Sequence, residues 1–351
     1  MTECRPTDEL GETTIISLNG VITGACAVIL GFKSMEQSCK RRLMMVTIVL
    51  LAITTGPSLG SPAVHNPEHV ITSLYKTQNH YFDNTDKPEF TNPDWMADIL
   101  DEKSITEISL PGTHDTMALY GGIVVQCQSW TLQLHLEAGV RFLDIRARHY
   151  YNELPIHHGV CYQHATFHDV VNVTMAFLEN HPKEVLLMRL KEEYKPKGNT
   201  ETMYQTVVRY LKEFGDWNRV WKNHYIPSIG EARGKLVILQ DFDGELLGIR
   251  YGADNMSISD DYKIPTISKI SLKWDGVKKH FKDAIVGDKK NMYLTYTSGV
   301  GVLAFPKQVA EHMNFKLFHF LNHRSTQRQR LGTIIMDFPA AWLIKMIIDL
   351  N

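Results

Sequence analysis

Short apolar segments alternate with longer amphipathic segments along much of this chain, and this alternation limits the folds that it can adopt. Strands that are apolar throughout are typical of a parallel sheet whose two faces are covered by helices. We therefore predict an α/β fold. A (β/α)8 barrel of the TIM type, either closed or distorted and incompletely closed, is preferred over a doubly wound sheet. The predicted strands are Ile105–Leu110, Val140–Ile145, Leu154–His157, Val185–Leu190, Lys235–Leu239, Met292–Thr297 and Thr333–Phe338.

Amphipathic segments between these strands predict the covering helices. Thr131–Ala138 is followed by Gly139, which favours the left-handed conformation at a helix C-terminus. Phe167–Asn180 has a broad apolar side and ends before Pro182. The remaining predicted helices are a short one around Trp95–Leu100, Thr202–Phe214 and Pro306–Asn322.

The length of the chain sets its domain organisation. A single barrel takes ~250 residues, whereas this chain has 351. We predict an N-terminal extension at residues 1–60, a lead-in at residues 61–104 and one barrel domain at residues 105–351.

A secretory signal is predicted near the N-terminus. Basic residues Lys40-Arg-Arg42 precede the apolar run Leu43–Ile53, and small residues follow up to Gly60. We expect translation to start at Met35, cleavage to follow Gly60, and the mature protein to be secreted. The alternative is a membrane anchor that uses this run and the apolar residues 15–32, although Leu43–Ile53 is shorter than the ~20 residues of a membrane span.

Charge and cysteine content exclude some classes of function. The formal net charge is −2 and the pI is about 6.8, so the chain lacks the basic field of a nucleic-acid-binding protein. Cys127 and Cys161 follow the predicted signal and could form one disulfide or remain two buried thiols. No Cys/His spacing resembles a zinc site, and we expect a monomer without a cofactor.

Three strings of residues start in apolar runs and end in clusters of His, Asp or Arg. They are Ser109–Asp115, Phe142–Arg148 and Ile156–Gly159. Barrel enzymes place catalytic side chains at the C-terminal ends of their strands. Two histidines, carboxylates and an arginine could supply the base, the acid and the cation that phosphoryl transfer requires without a metal.

These motifs together resemble the phosphatidylinositol-specific phospholipase C X-domain family, most closely its bacterial single-domain members. The resemblance rests on Leu-Pro-Gly-Thr-His-Asp, Asp-Ile-Arg, His-His-Gly and Met-Arg-Leu-Lys-Glu-Glu-Tyr, in the order of the family, and it extends from about residue 90 to the C-terminus. It implies cleavage between phosphate and diacylglycerol through an inositol 1,2-cyclic phosphate. The implied substrate is phosphatidylinositol, or a glycosylated phosphatidylinositol anchor, at a membrane surface.

The resemblance also implies catalytic roles. His114 is the expected general base for the inositol 2-hydroxyl, and Asp337 is expected to orient it. His158 is the expected acid for the diacylglycerol oxygen, with neighbouring His157 as a rival and Asp115 beside the acid. Arg146 is expected to contact the phosphate, which argues for a mechanism without a metal.

Other positions match residues that bind the substrate. The resemblance implies a substrate contact for Lys191. Asp144 is also expected in the substrate-binding site, where its strand parity with Arg146 would let it orient Arg146 or a histidine. Arg148 shares that parity but could lie on the surface. The remaining expected contacts are Gly159, which follows the acid, and Asp260 and Tyr262 at the head group, with Asp261 as the alternative to Asp260.

One departure from the family leaves the head group open. Bacterial-type members have an arginine that contacts inositol where this chain has Gln240-Asp241. This departure does not affect the phosphodiester chemistry. Two separate alternatives are a metal-dependent phosphodiesterase for another head group and a barrel that binds phosphoinositide without turnover. Trp130, Trp274 and the segment Tyr293–Tyr296 could contact lipid or pack in the core.

Overall fold

The computed structural model describes residues 76–323 and 328–351. The predicted signal, the start at Met35 and the first part of the lead-in lie outside the described residues. The described strands are β1 Leu110–Thr113, β2 Phe142–Ala147, β3 Pro155–His158, β4 Cys161–Thr166, β5 Val185–Glu192, β6 Lys235–Asp241, β7 Ile249–Arg250, β8 Met256–Ser259, β9 Met292–Tyr296 and β10 Thr333–Met336.

Helices follow most of these strands and cover the outside of the sheet. The α-helices are α1 Leu132–Ala138, α2 Phe167–Asn180, α3 Met203–Glu213, α4 Ile229–Ala232, α5 Ile270–Val286, α6 Pro306–Asn322 and α7 Ala341–Ile348. Short 3-10 helices lie at Trp95–Asp98, Ile105–Glu107, Gly122–Val124, Trp217–Arg219 and Ile267–Lys269.

The parallel strands follow one another around an incompletely closed barrel. Their order is β7-β6-β5-β2-β1-β10-β9-β8, and every neighbouring pair is parallel. This is the circular chain order of a (β/α)8 barrel, without the reversal that defines a doubly wound sheet. Within the described residues no ladder joins β7 to β8, so the incompletely closed barrel is confirmed and the doubly wound alternative is wrong.

The opening lies where the chain lacks helices to cover the sheet. Strand β7 has two residues, and the links from β6 to β7 and from β7 to β8 contain no helix. Such short elements bury little apolar surface against a covering layer, so closing the ladder here would gain little stability. The barrel therefore remains open at this side.

Two predicted strands required correction. Ile105–Glu107 is a 3-10 helix because Ser104 and Glu107 form a capping box, and β1 starts only at Leu110. Strand β1 includes Gly112. A larger residue would be too close to β2 at this position, because an added Cβ would lie 2.9 Å from the Phe142 Cβ. The predicted strand Leu154–His157 is β3, which forms an antiparallel hairpin with β4 instead of a barrel strand.

Successive side chains along the strands alternate between two buried layers, one beneath the helices and one inside the barrel. Leu143 and Met188 point outward into the apolar layer beneath the helices, whereas Phe142 and Leu187 point into the barrel. The inward positions farther along these strands are Asp144, Arg146, Arg189 and Lys191, because successive side chains alternate between faces. The bottom of the barrel is thus apolar and its C-terminal mouth is charged.

A buried histidine outside the mouth predicts sensitivity to acid. His135 of α1 is fully buried beside Trp130, with ring centroids 5.5 Å apart, and burial lowers its pKa from 6.5 to about 3. The unfolded chain therefore binds a proton that the folded chain does not, and stability is lost as pH falls from about 6.5 towards 3. We expect protonation of this residue in the unfolded chain to lower the free energy of unfolding by about 2 kcal/mol between about pH 7 and pH 5.

Urea unfolding of the protein and of His135→Leu at both pH values measures this cost. The variant should lose about 2 kcal/mol less of its free energy of unfolding over the same interval. An equal loss in both proteins would contradict the assignment.

Candidate active site

The three motifs predicted from the sequence converge at the C-terminal mouth of the barrel. His114 follows β1, Arg146 lies near the end of β2, and His158 ends β3. The ends of parallel strands share one edge of the sheet, and the β3–β4 hairpin leaves β2 at that same edge. The fold therefore collects residues that are up to 44 positions apart in the sequence.

His114 and Asp337 form a hydrogen-bonded pair because β1 and β10 end side by side. Thr113 is in register with Met336, so the next residue of each strand faces the other. The His114 Nδ1 lies 2.9 Å from the Asp337 Oδ1. If Nδ1 carries the ring proton and donates it to Asp337, Nε2 is left free to accept a proton.

Gln128 fixes this pair and was missed by the sequence analysis. Its Nε2 donates to the carbonyl oxygens of His114 at 2.8 Å and of Met336 at 3.0 Å. The side chain is fully buried, and it ties together the two strand ends that carry the dyad. A lone glutamine in a loop gives no sequence signal for such a role.

The environment of His114 keeps its imidazole neutral. Burial lowers the pKa of His114 well below 6.5, and the nearby Arg146 guanidinium lowers it further. The Asp337 carboxyl is also fully buried, and burial raises its pKa. Both shifts disfavour an imidazolium–carboxylate pair in the resting site.

Asp115 and His158 form a second pair across the mouth. The Asp115 Oδ2 lies 3.4 Å from the His158 Nδ1, and that nitrogen donates to the Val125 carbonyl oxygen at 2.8 Å. This arrangement leaves Nε2 of His158 as the nitrogen that can carry a proton into the site. The rings of His114 and His158 have centroids 6.3 Å apart.

The backbone of Asp115 is bent so that its side chain reaches this position. Its φ of 39° lies in the left-handed region, which aspartate tolerates better than most residues. Its N–H donates to the Asp144 Oδ2 at 3.0 Å. The rival His157 is buried beside Tyr162 and alternates with His158 on β3, so His157 does not share the site.

Arg146 lies between the two histidine pairs and is held by carboxylates. Its Nη2 donates to the Asp144 Oδ2 at 2.8 Å, and its Nε lies 3.6 Å from the Asp115 Oδ2. Its Nη1 lies 3.9 Å from the Glu193 Oε2. Burial alone would lower the pKa of Arg146, but these carboxylates raise it above its ordinary value, so the side chain stays charged.

Glu193 connects Arg146 to two further predicted residues. Its Oε2 accepts from the Lys191 Nζ at 2.8 Å, and its Oε1 accepts from the Gly159 N–H at 2.9 Å. Burial raises the pKa of this carboxyl, but Arg146 and Lys191 outweigh burial and lower it. The ionised Glu193 carboxylate therefore links the end of β5 to the β3–β4 hairpin.

Arg189 is a second buried arginine that the sequence analysis did not select. It is 7% exposed, and its Nη2 and Nε donate to the Asp241 Oδ2 at 2.6 and 3.0 Å. Its Nη1 donates to the Tyr296 hydroxyl at 3.1 Å, and its guanidinium lies 4.2 Å from the Tyr251 ring centroid. The signal was its parity with Lys191, which places both residues inside the barrel.

The contacts of Arg189 explain how the chain accommodates an acidic residue, Asp241, where the resemblance implies an arginine. Asp241 ends β6, and Arg189 on the neighbouring strand β5 pairs with its carboxylate. Asp144 also lies 3.4 Å from the Arg189 Nη1 through its Oδ1. Asp144 therefore stays ionised between two arginines, which lower its pKa against the effect of burial.

The predicted head-group residues lie on the exposed loop after β8. Asp260 is exposed, yet it interacts electrostatically with Arg146, Arg189 and the buried Lys273. The Lys273 Nζ donates to the Asp261 backbone carbonyl at 2.9 Å, and burial lowers the pKa of this lysine to about 8. The Tyr262 ring is 48% exposed beside the mouth.

Several alternatives left open by the sequence are decided by the structure. Trp130, Trp274, Tyr293 and Tyr296 are buried, so lipid contact by these rings is wrong and core packing is confirmed. Arg148 stacks on Tyr150 and Tyr194 outside the charged cluster.

The possible disulfide between Cys127 and Cys161 is also wrong. Cys127 is a free, fully buried thiol. Its Sγ lies 3.9 Å from the His158 Nδ1, so the fold uses this position to pack a small side chain next to the histidines.

Comparison with known proteins shows what this chain is similar to. Residues 103–241 match the family model of the phosphatidylinositol-specific phospholipase C, X domain. The 1-phosphatidylinositol phosphodiesterase of Listeria monocytogenes is 31% identical over 282 residues, which cover 76% of this chain and 87% of the relative. The protein of the same name from Staphylococcus aureus strain Newman is 23% identical, over 73% of this chain and 93% of the relative.

A solved structure gives the corresponding likeness in three dimensions. The phosphatidylinositol-specific phospholipase C from Listeria monocytogenes superposes with a TM-score of 0.64 at 28% identity. The match covers 74% of this chain and 99% of that structure. The barrel fold is therefore shared over nearly the whole of the known structure.

Proposed function

Because the chain belongs to the phosphatidylinositol-specific phospholipase C X-domain family, we propose that it is a phosphodiesterase that cleaves phosphatidylinositol-type lipids. The products are diacylglycerol and an inositol phosphate, first in cyclic form. The observation that carries this proposal is a pair of histidines that each face a buried carboxylate, with Arg146 beside one of these carboxylates and near enough to His114 to lower its pKa.

In the first step, Nε2 of His114 removes the proton from the inositol 2-hydroxyl. The oxygen then attacks phosphorus, and the bond from phosphorus to the diacylglycerol oxygen breaks. His158 delivers a proton to that leaving oxygen, which gives diacylglycerol and inositol 1,2-cyclic phosphate. Water opens the cyclic phosphate in a second step, with the two histidines exchanging roles.

Arg146 stabilises the negative charge that develops on the phosphate oxygens. A guanidinium presents N–H donors in a fixed plane and remains charged at any pH at which the protein is folded. Asp144, Asp115 and Glu193 orient it and balance its charge while the site is empty of substrate. These carboxylates are engaged with arginine and lysine, which supports phosphate stabilisation by the side chains themselves.

The direct test is turnover of phosphatidylinositol by the purified full-length chain in excess EDTA. We expect diacylglycerol to be released at the same rate with and without the chelator. Loss of turnover in EDTA with recovery on adding a divalent cation would instead favour a metal-dependent phosphodiesterase. Tight binding of the lipid by the folded protein without any product would favour the non-catalytic barrel.

The acidic limb of the pH profile reports the state of His114. The base works only when its imidazole is neutral, and burial and Arg146 lower its pKa below 6.5. The kcat/KM for phosphatidylinositol should therefore stay high as pH falls through 6.5 and decline only below that value. A half-loss of kcat/KM above this pH would contradict the neutral resting base.

Exposed apolar side chains at the mouth support action at a lipid surface. Val302 is 72% exposed on the loop after β9, and this loop pairs with the loop after β8 through Lys263 and Val300. Other exposed large side chains on this face include Tyr120, Tyr194, Tyr262 and Leu303 on loops and Tyr162 on β4. An apolar rim around a charged pocket suits a substrate whose tails remain in a bilayer.

Introducing a charge into this rim should weaken binding to the lipid surface. We expect Val302→Glu to lower the affinity for phosphatidylinositol vesicles about tenfold, since burying one valine is worth about 1.5 kcal/mol. The matched control is Val286→Glu, because Val286 is also exposed but ends α5 at the opposite end of the barrel. Vesicle sedimentation measures both, and equal affinities for the two variants would contradict a binding surface at the mouth.

Secretion and a monomeric state complete the proposal. The signal-like segment that ends near Gly60 supports export, and one chain supplies all the residues of the site. Within the described part of the chain, no helix has the length and apolar character needed to cross a bilayer.

A further inference from the structure

Cys127 occupies a position that the proposed reaction does not use. Its thiol lies among His114, Asp337 and His158 at the centre of the mouth. Burial raises the pKa of Cys127 well above its ordinary value, so without a metal the thiol is neutral and unreactive. The question is what a thiol can do when it is buried beside a catalytic imidazole and a carboxylate.

Three different metal-binding groups meet at this point. One donor atom each from His114, Cys127 and Asp337 lies within 4.8 Å of the others. Ligands around a tetrahedral Zn²⁺ are roughly 3.5 Å apart, as follows from bonds of about 2.0–2.3 Å. Shifts of about an ångström or less would therefore bring these three atoms into the geometry of a zinc site.

A buried carboxylate oxygen without a hydrogen-bond partner also indicates a cation at this position. Among the described residues, the Asp337 Oδ2 has no hydrogen-bond partner although the side chain is 1% exposed. A buried oxygen without a partner costs free energy that a bound cation would recover. The donor set of sulfur, nitrogen and oxygen suits Zn²⁺, whereas Mg²⁺ and Ca²⁺ prefer oxygen alone.

We propose that His114, Cys127 and Asp337 form an inhibitory site for Zn²⁺ or a similar thiophilic divalent cation. The metal binds the Cys127 thiolate, the His114 Nδ1 and an Asp337 oxygen, and water completes its coordination. The thiol releases its proton to solvent. The proton of the His114 Nδ1 is replaced by the metal, and the imidazole then carries its proton on Nε2.

Metal binding would thus remove the base that the proposed function requires. Nε2 is no longer able to accept the proton of the 2-hydroxyl, and Asp337 no longer orients His114. The inhibition rests on the proposed function, but the metal site itself does not, since it depends only on the three side chains. Binding and activity are therefore measured separately.

The binding test uses Co²⁺ as a spectroscopic probe on the metal-free, full-length protein. We expect one equivalent of Co²⁺ to give a thiolate-to-cobalt charge-transfer band in the near ultraviolet, and Zn²⁺ to displace it. Cys127→Ser should abolish the band and weaken Zn²⁺ binding by more than about 100-fold, beyond the loss caused by removing an outer contact. A band that survives in Cys127→Ser, or no Zn²⁺ binding by the unmutated protein, would overturn the proposal.

Two further variants keep the binding test decisive. His181→Gln is the matched control, because His181 forms a surface pair with Asp94 at 2.8 Å and should leave Zn²⁺ binding unchanged. If Cys127→Ser does not fold, His114→Gln takes its place and should weaken Zn²⁺ binding by a similar factor. Unchanged affinity in folded His114→Gln would also overturn the proposal.

The activity test compares each protein with its own metal-free rate. Micromolar Zn²⁺ should inhibit the unmutated enzyme, EDTA should reverse the inhibition, and Mg²⁺ and Ca²⁺ should have no effect. The remaining activity of Cys127→Ser should resist the same Zn²⁺ concentration. Zn²⁺ binding without phosphatidylinositol turnover would support the site and refute the proposed function, whereas turnover unaffected by bound Zn²⁺ would refute the inhibitory role.

Discussion

His114→Ala is expected to lower kcat/KM for phosphatidylinositol by about 10²–10⁴-fold, the usual contribution of a positioned general base. The variant keeps Arg146 and His158, so the phosphate should still bind and the loss should fall mainly on kcat. The side chain is partly exposed at the mouth, and its removal should leave the fold intact by circular dichroism. A steady-state assay of released diacylglycerol measures the loss.

A change of leaving group separates the base from the acid. In an aryl phosphodiester of inositol, the aryloxide leaves without being protonated. This substrate should therefore restore much of the activity of His158→Ala and none of the activity of His114→Ala. His168→Ala is the matched control, because His168 lies on α2 outside the mouth. Equal rescue of both active-site variants, or a loss below tenfold in His114→Ala, would contradict the assigned roles.

Arg146→Ala is expected to lower kcat by about 10²–10³-fold, the range found when one donor to a developing oxyanion is removed. Arg146→Lys should recover part of this loss, because it keeps the charge but not the planar pair of donors. Arg148→Lys is the control and should retain full activity, because Arg148 follows directly after the same strand but lies outside the charged cluster.

The structural cost of Arg146→Ala is measured alongside activity. The substitution leaves Asp144 with Arg189 as its remaining arginine partner and deprives Asp115 of a counter-ion. Thermal unfolding of Arg146→Ala and Arg146→Lys therefore accompanies the kinetics. A folded Arg146→Ala with unchanged kcat would contradict the assignment of Arg146 to the phosphate.

The apolar strands and the motifs at their ends could be predicted from sequence because both are local. Helices Phe167–Asn180 and Pro306–Asn322 have the predicted limits. Helix α5 was missed because it lacks a side-chain cap at its start, and α7 because its eight residues are nearly all apolar. The hairpin arm β3 has the composition of a barrel strand, and only its pairing with β4 distinguishes it.

The site was predictable where one strand end supplies the signal and not where several strands combine. His114, Arg146 and His158 each follow an apolar run. Arg189 acquires its role from partners on β2, β6 and β9 and directly after β7, which the sequence does not place together. Gln128 likewise depends on the register of β1 with β10.

In the proposed reaction, two histidines drive attack by the substrate's own 2-hydroxyl. Phosphorus NMR of phosphatidylinositol turnover in excess EDTA follows this directly, because a five-membered cyclic phosphate and a phosphate monoester give separate resonances. We expect the cyclic phosphate to accumulate first and the monoester to appear later. Formation of the monoester from the start, without the cyclic product, would show direct attack by water and would contradict the account.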